Sequence, residues 1–276
     1  MPNRVPANPH LTQPLELDLS HLTRGWCAIS DLHLSEHMPN TMAQFERFCD
    51  EIAPQYGALL ILGDLFEYWV GDDAADFNPA AMLVIDVIQK LKQRGTQTYF
   101  MRGNRDIAIE SAFCQRAGMI LLPDPCVLSN RNEQRIILSH GDLLCTDDHE
   151  YQRQRRFYTH PWVKKTILKA PLSWRVKLVH YLREKSRKRW LNTPEHLRTK
   201  RTVEQDVTES AVQQWREQYA ANALLHGHTH RPAEHSDNGF TRWVLPDWDL
   251  DNAPNRWGYL SCENHTMHLI SNVDPS

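Results

Sequence analysis

The chain has 276 residues, of which 41% are hydrophobic, 24% charged and 9% aromatic, which excludes a disordered or fibrous protein. No apolar run approaches the about 20 residues that a membrane-spanning helix needs, and the N-terminus reads without a secretory apolar core. The formal net charge of -3 excludes no partner by itself, but its distribution is uneven: Pro161 to Trp190 holds ten Lys or Arg against one acid, Glu184, leaving 21 basic and 33 acidic residues elsewhere.

Length and pattern predict one main domain with an insertion. Residues 1–24, with Pro2, Pro6, Pro9 and Pro14 among polar residues, are predicted to be a loosely ordered extension. Residues 25–276 are the folded domain, with a helical insertion at about 150–203. In chain order the apolar runs and helical periodicities predict a strand at Gly25 to Ser30, a helix at Asn40 to Ala53, a strand at Ala58 to Leu62, a helix at Pro79 to Arg94 and a strand at Thr96 to Met101. A helix at Asp106 to Ala117, a strand at Gln134 to Ser139, a helix at Glu204 to Ala220 and a strand at Ala223 to Leu225 follow. This alternation is the βαβ pattern. Thr241 to Leu245, Trp257 to Cys262 and Met267 to Ile270 read as edge strands completing a second sheet, and Asp247 to Asn255 as a loop. The six cysteines are scattered without zinc-ligand spacing and read as reduced thiols, which fits a cytosolic location.

Each of the five core strands is followed by residues that carry metal-ligand chemistry. They are Asp31-Leu32-His33, Gly63-Asp64, Gly103-Asn104-Arg105-Asp106, His140-Gly141-Asp142 and Gly227-His228-Thr229-His230. Carboxyl ends of strands are where ligands bind in open α/β sheets, because the loops leave the packed core there and their side chains can converge. One Asp-x-His is ordinarily a loop, and one Gly-Asp a turn; five such elements in order, each at a strand end, point to one site. Asp, His and Asn without thiolate suit manganese, iron, zinc or magnesium. Seven donors exceed the need of one tetrahedral ion, and two ions at about 3.5 to 4 Å, sharing a carboxylate, are the arrangement used for in-line displacement at phosphorus.

The order D-x-H, G-D, G-N, H-G, G-H-x-H resembles the calcineurin-like metallophosphoesterases over roughly Ile29 to His230. The resemblance implies an α/β fold, a four-layer αββα sandwich with an inserted helical cap. It also implies two divalent metal ions, one held by Asp31, His33 and His230, the other by Asn104, His140 and His228, with Asp64 bridging. Chemistry would then be hydrolysis by a hydroxide that the two metals activate. No Gly-x-Ser-x-Gly or P-loop suggests a protein nucleophile.

Many relatives have His after the G-N pair, and here the position holds Arg105. A guanidinium cannot act as a general acid but clamps phosphate oxygens. An alkoxide would leave unaided there, whereas a phosphate monoester, with a second pKa of about 6, leaves without protonation; the site reads as built for a diphosphate bond. The strings Leu62 to Glu67 with Trp69 and Gly71-Asp72-Asp73, Leu144 to Asp148, and Gly227 to Pro232 resemble the UDP-2,3-diacylglucosamine pyrophosphatases of lipid A biosynthesis. That resemblance implies an acylated UDP-sugar substrate cleaved to UMP and the acylated sugar 1-phosphate, usually with Mn2+. It implies substrate contacts by Asn104, Arg105, Asp148, Tyr151, Ser186 and His228, with Lys200 as the equivalent of a family lysine. Asp64, Asn104, Arg105 and His228 are the expected catalytic set. A calcineurin-like phosphoesterase acting on another nucleotide diphosphate or phosphodiester is the alternative.

In the basic segment, Trp174, Leu178 and Leu182 follow i, i+4, i+8 spacing and share one helical face. Two readings stay open there: a cap facing lipid, on the anionic cytoplasmic surface of the inner membrane, or a cap packed on the core with a solvated basic face. The acidic body and the absence of recognition motifs argue against nucleic acid.

Overall fold

Along the strand Trp26–Ile29, Trp26 and Ala28 point to one side and Cys27 and Ile29 to the other, and all four are buried. A strand that is apolar on both faces must be covered on both, and this requirement builds the fold. The structure, a computed structural model, describes residues 14–129, 134–192 and 206–272, with the side chains at 186, 187, 189 and 190 outside that description.

Two six-stranded sheets stack face to face. The first runs in the order β1 (Glu16–Asp18), β6 (Cys126–Ser129), β7 (Arg135–Leu138), β8 (Ala223–His226), β10 (Phe240–Val244) and β9 (Ala233–Asp237). The second runs β12 (Thr266–Ser271), β11 (Gly258–Glu263), β2 (Trp26–Ile29), β3 (Ala58–Leu62), β4 (Gln97–Met101) and β5 (Met119–Leu122). Period-two alternation sorts the core. Ala58, Leu60 and Leu62 of β3 meet Ile136, Leu138 and Leu225 between the sheets. Leu59 and Ile61 face outward against α1 (Pro39–Arg47), α2 (Pro79–Gln93) and α3 (Ser111–Ala117), while Ile137 and Leu224 pack under α7 (Glu209–Tyr219). The layers are therefore helix, sheet, sheet, helix, the four-layer α/β sandwich.

Local chemistry explains the helix bounds. The Asn78 side chain accepts from the N–H groups of Ala80 and Ala81, Pro79 fills the first turn, and Val84, Ile85, Ile88 and Leu91 recur on the buried face of α2. The helix predicted from Asp106 starts only at Ser111, because the Asp106 carboxylate is taken by N–H groups of two neighbouring loops. Strands β5, β6 and β9 were not predicted. They are four or five residues long, β5 and β6 are separated by a Pro-containing turn, and β9 is mostly exposed and polar. The three late strands do not complete one sheet as edges: β10 lies inside the first sheet between β8 and β9, and β11 with β12 extend the second beside β2. Within the segment expected to be loosely ordered, Glu16–Asp18 pair parallel to β6, and Leu19 is buried beneath them.

Within its described residues the predicted insertion forms α4 (His149–Thr159), α5 (Pro161–Lys169) and α6 (Leu172–Leu191), the last two carrying the basic segment. Four cations tie these helices to the body: Arg155 to Asp142, Lys164 to Glu110, Arg175 to Asp73 and Arg183 to Glu67. Arg175 is 3% exposed and also donates to the carbonyls of Val70 and Ala170.

Candidate metal centre

The loops after β2, β3, β4, β7 and β8 leave the sheets at one edge and bring the seven predicted ligands to a single place. Sharp reversals there demand unusual backbone. Asp31, His33, Asp64, His228 and His230 all have φ between 49° and 71°, the left-handed region that non-glycine residues seldom occupy. Such conformations cost of order 1–3 kcal/mol each and gather at functional sites. Glycines make the close approach possible. A Cβ on Gly103 would stand 2.2 Å from Asp64 Oδ1, and one on Gly227 would stand 2.2 Å from Asp31 Oδ2.

Two clusters of donors result. His33 Nε2 and His230 Nε2 are 3.5 Å apart, and His230 Nε2 is 3.4 Å from Asp31 Oδ1. Asn104 Oδ1 lies 3.0 Å from both His140 Nε2 and His228 Nδ1, and His140 Nε2 is 3.7 Å from Asp64 Oδ1. Donor atoms of Asp31, His33 and His230 lie within 4.8 Å of one another, as do those of Asp31, Asp64 and His140. Asp31 thus borders both clusters, beside Asp64. The arrangement fits divalent cations on its own chemistry: Asp31 Oδ1 is buried without a hydrogen-bond partner, while Asp31 Oδ2 accepts from Ser30 Oγ and the N–H of His228.

The electrostatics agree. Burial works to raise the Asp31 carboxyl, but the charge of His230, 3.4 Å away, with those of His140 and His33, holds it well below the usual range. Burial works to lower His140, yet the carboxylates of Asp64, Asp31 and Asp142 bring it up to about 9. His228 is lowered to about 4 by burial and by His140. The carboxylate field at the His140 side therefore calls for positive charge.

Among the other predicted residues, Arg105 donates its backbone N–H to Asp64 Oδ1 and turns its guanidinium toward Glu67 at 3.6 Å. Asp148 caps α4 by accepting from the N–H of Tyr151, whose hydroxyl donates to Asp142 and whose ring lies 6.1 Å from that of His228. Ser186 lies in α6 with its side chain outside the described residues, as Lys200 does entirely. A cleft of about 1270 Å³ runs from Arg105 and Glu67 past Val70 and Phe77 to Leu172 and Val176 of α6. Trp174 is half exposed and does not line it, although Leu182 of the same predicted stripe does.

Four carboxylates around the site escaped the sequence reading as functional groups. Asp106 accepts from the N–H groups of Gly103, Leu65 and Phe66 and so fastens two ligand loops together. Asp142 anchors Tyr151 and Arg155. Glu67 faces His33 Nδ1 at 3.3 Å, and Asp247 faces His230 Nδ1 at 3.4 Å. Glu67 and Asp247 are distant in sequence from the histidines they face; the place of Glu67 in the Leu62 to Glu67 string and the neighbourhood of Asp106 and Asp142 to ligand residues were the signals available.

The sequence pattern of the calcineurin-like phosphoesterases matches residues 27–232. A UDP-2,3-diacylglucosamine hydrolase of Aeromonas hydrophila is 42% identical over 228 residues, covering 83% of this chain and 86% of the relative. A UDP-2,3-diacylglucosamine hydrolase of Ralstonia nicotianae is 41% identical over 242 residues, covering 87% and 89%.

Proposed function

Because this chain belongs to the calcineurin-like phosphoesterase family and, within it, to the UDP-2,3-diacylglucosamine hydrolases, we propose that it cleaves the diphosphate bond of UDP-2,3-diacylglucosamine to UMP and 2,3-diacylglucosamine 1-phosphate. The observation that carries the reading is the meeting of seven Asp, Asn and His side chains from five strand ends beside Arg105, where a general acid would otherwise stand.

Asp31, His33 and His230 would hold one divalent cation, Asn104, His140 and His228 the other, and Asp64 would bridge, with Mn2+ the metal we favour. Such a pair supplies Lewis acidity toward phosphoryl oxygens and ionises water near neutral pH. The chain's own groups do the rest. Arg105 neutralises a phosphate that leaves without a proton. His228, assigned to the second cation, would also stand against the substrate, as the family resemblance implies. Asp148 and Tyr151, at the start of α4, would contact substrate, and Ser186 and Lys200 are assigned the same role on the family resemblance. The fully buried Asp142 fixes the Tyr151 ring near His228.

The insertion at about 150–203 acts as the cap. The apolar part of the cleft, with Val70, Phe77, Tyr158, Leu172 and Val176, suits acyl chains, and the arginines at its inner end suit phosphate. On its outer surface Phe157, Trp162, Trp174 and Tyr181 are exposed among lysines and arginines. No helix among the described residues is long and apolar enough to cross a membrane. This surface supports peripheral attachment to the anionic cytoplasmic face of the inner membrane.

The test is a substrate and metal panel: acylated and unacylated UDP-glucosamine with Mn2+, Mg2+, Co2+ or Zn2+, followed by UMP release. Fastest release from the diacylated compound with Mn2+ is expected. A preference for an unacylated nucleotide would move the assignment to another phosphoesterase reaction.

A further inference from the structure

Glu67 lies at a three-way junction. Its Oε2 is 3.3 Å from His33 Nδ1, its Oε1 is 3.6 Å from Arg105 Nη1, and Oε1 also accepts from Arg183 Nη2 of α6. The carboxylate is delivered by fixed backbone: the Glu67 N–H donates to the Leu34 carbonyl, and the Leu34 N–H donates to that of Leu65, so the β3 loop is zipped to the loop that carries Asp31 and His33. On the cap side, the Arg183 guanidinium lies over the Tyr68 ring at 5.2 Å, and that ring meets His180 edge-on. Asp247 stands behind His230 in the same way, but its other tie is to Arg256 of the body. Glu67 reaches from a ligand histidine to the cap.

A carboxylate on the distal nitrogen of a ligating histidine fixes which nitrogen is free for the ion, and its loss typically lowers metal affinity 10- to 100-fold. Two guanidiniums lining one cleft repel each other unless an anion stands between them. We propose that Glu67 is a positioning residue that couples the cap to the metal centre. Through Oε2 it aims His33 Nε2 into the donor cluster, and through Oε1 it holds Arg105 and Arg183 side by side for an incoming diphosphate. The inference rests on the proposed diphosphatase reading for its substrate half and on geometry alone for its metal half.

Two variants separate the halves. Glu67→Gln keeps the shape and an oxygen for His33 but removes the charge between the arginines; Glu67→Ala removes both. Mn2+ binding to the chelated protein, followed by electron paramagnetic resonance without substrate, should weaken about tenfold or more for Glu67→Ala and by under threefold for Glu67→Gln. For UDP-2,3-diacylglucosamine with saturating Mn2+, KM should rise about tenfold for both variants with kcat lowered far less, and Arg183→Ala added to Glu67→Gln should raise KM no further. Unchanged Mn2+ affinity in Glu67→Ala would overturn the metal half, and additive KM effects of Glu67→Gln and Arg183→Ala would overturn the cap half. Circular dichroism melts at wild-type temperature for Glu67→Gln exclude misfolding as the cause. If the wild-type protein releases no UMP, the diphosphatase reading falls, while the Mn2+ titration still decides the role of Glu67 behind His33.

Discussion

Replacing Gly103 by Ala tests whether the site depends on backbone loops in contact. Gly103 does not have a positive φ, so the substitution carries no left-handed backbone strain of the kind found at Gly63. The added Cβ would stand 2.2 Å from Asp64 Oδ1 and 2.4 Å from the Asp64 backbone nitrogen, where ordinary contact begins at 3.4 Å. Relief requires the β3 and β4 loops to separate by about 1 Å, and neither is free to do so cheaply, because Asp106 is bonded to the N–H groups of both Gly103 and Leu65. Overpacking of this kind costs about 1–3 kcal/mol, which for a chain this size lowers Tm by roughly 2–12 °C. Catalysis should suffer far more, since a 1 Å misplacement of reacting groups costs about a hundredfold. The assay is kcat/KM for UMP release beside a thermal melt. The reasoning predicts a folded protein with at most about 1% of the activity; a variant with more than a tenth of wild-type activity would refute it.

Asp64→Asn keeps shape and tolerates the left-handed φ of 50° while removing one negative charge; turnover should vanish with Tm preserved, and substantial residual turnover would remove Asp64 as the bridge. Arg175→Ala leaves the carbonyls of Val70 and Ala170 without their donor; with the pair to the 60%-exposed Asp73 discounted, the loss is about 2–4 kcal/mol of cap docking. KM for the diacylated substrate should rise more than tenfold with Mn2+ affinity unchanged, and an unchanged KM would show that the cap is held elsewhere. His226 is lowered to about 3 by burial and by Arg242. Its neutral form is fully stabilising above the unfolded value of 6.5, and that stability is lost as pH falls from 6.5 toward about 3, because the unfolded state then binds the extra proton. Urea unfolding of metal-free protein should lose up to about 3 kcal/mol more between pH 6.5 and 4 in the wild type than in His226→Gln; parallel curves would contradict the assignment.

The five strand ends were legible because the fold uses each in one way: a mostly apolar, largely buried run, then a polar donor, which at every end but that of β2 stands beside a glycine. That the loops converge followed from strand polarity, and the distances between Asn104, His140 and His228 bear out the convergence. Less was legible where the determinant is long-range. Asp106 looks like a helix start in sequence, yet it serves N–H groups some 40 residues earlier and so delays α3 to Ser111. Helical spacing put Trp174, Leu178 and Leu182 on one face, but which face meets the body is decided by Arg175, whose burial turns Leu172 and Val176 to the cleft and leaves Trp174 half exposed. Strand β9 has no apolar run to announce it; it forms because β10 offers it an antiparallel partner.

The account turns on two cations acting together at this edge of the sandwich. Exhaustively chelated protein, titrated with Mn2+ while UMP release from UDP-2,3-diacylglucosamine is followed, measures that directly. Activity that climbs with added metal and saturates at two equivalents per chain is the predicted result. Saturation at one equivalent, or UMP release that persists without metal, would contradict it.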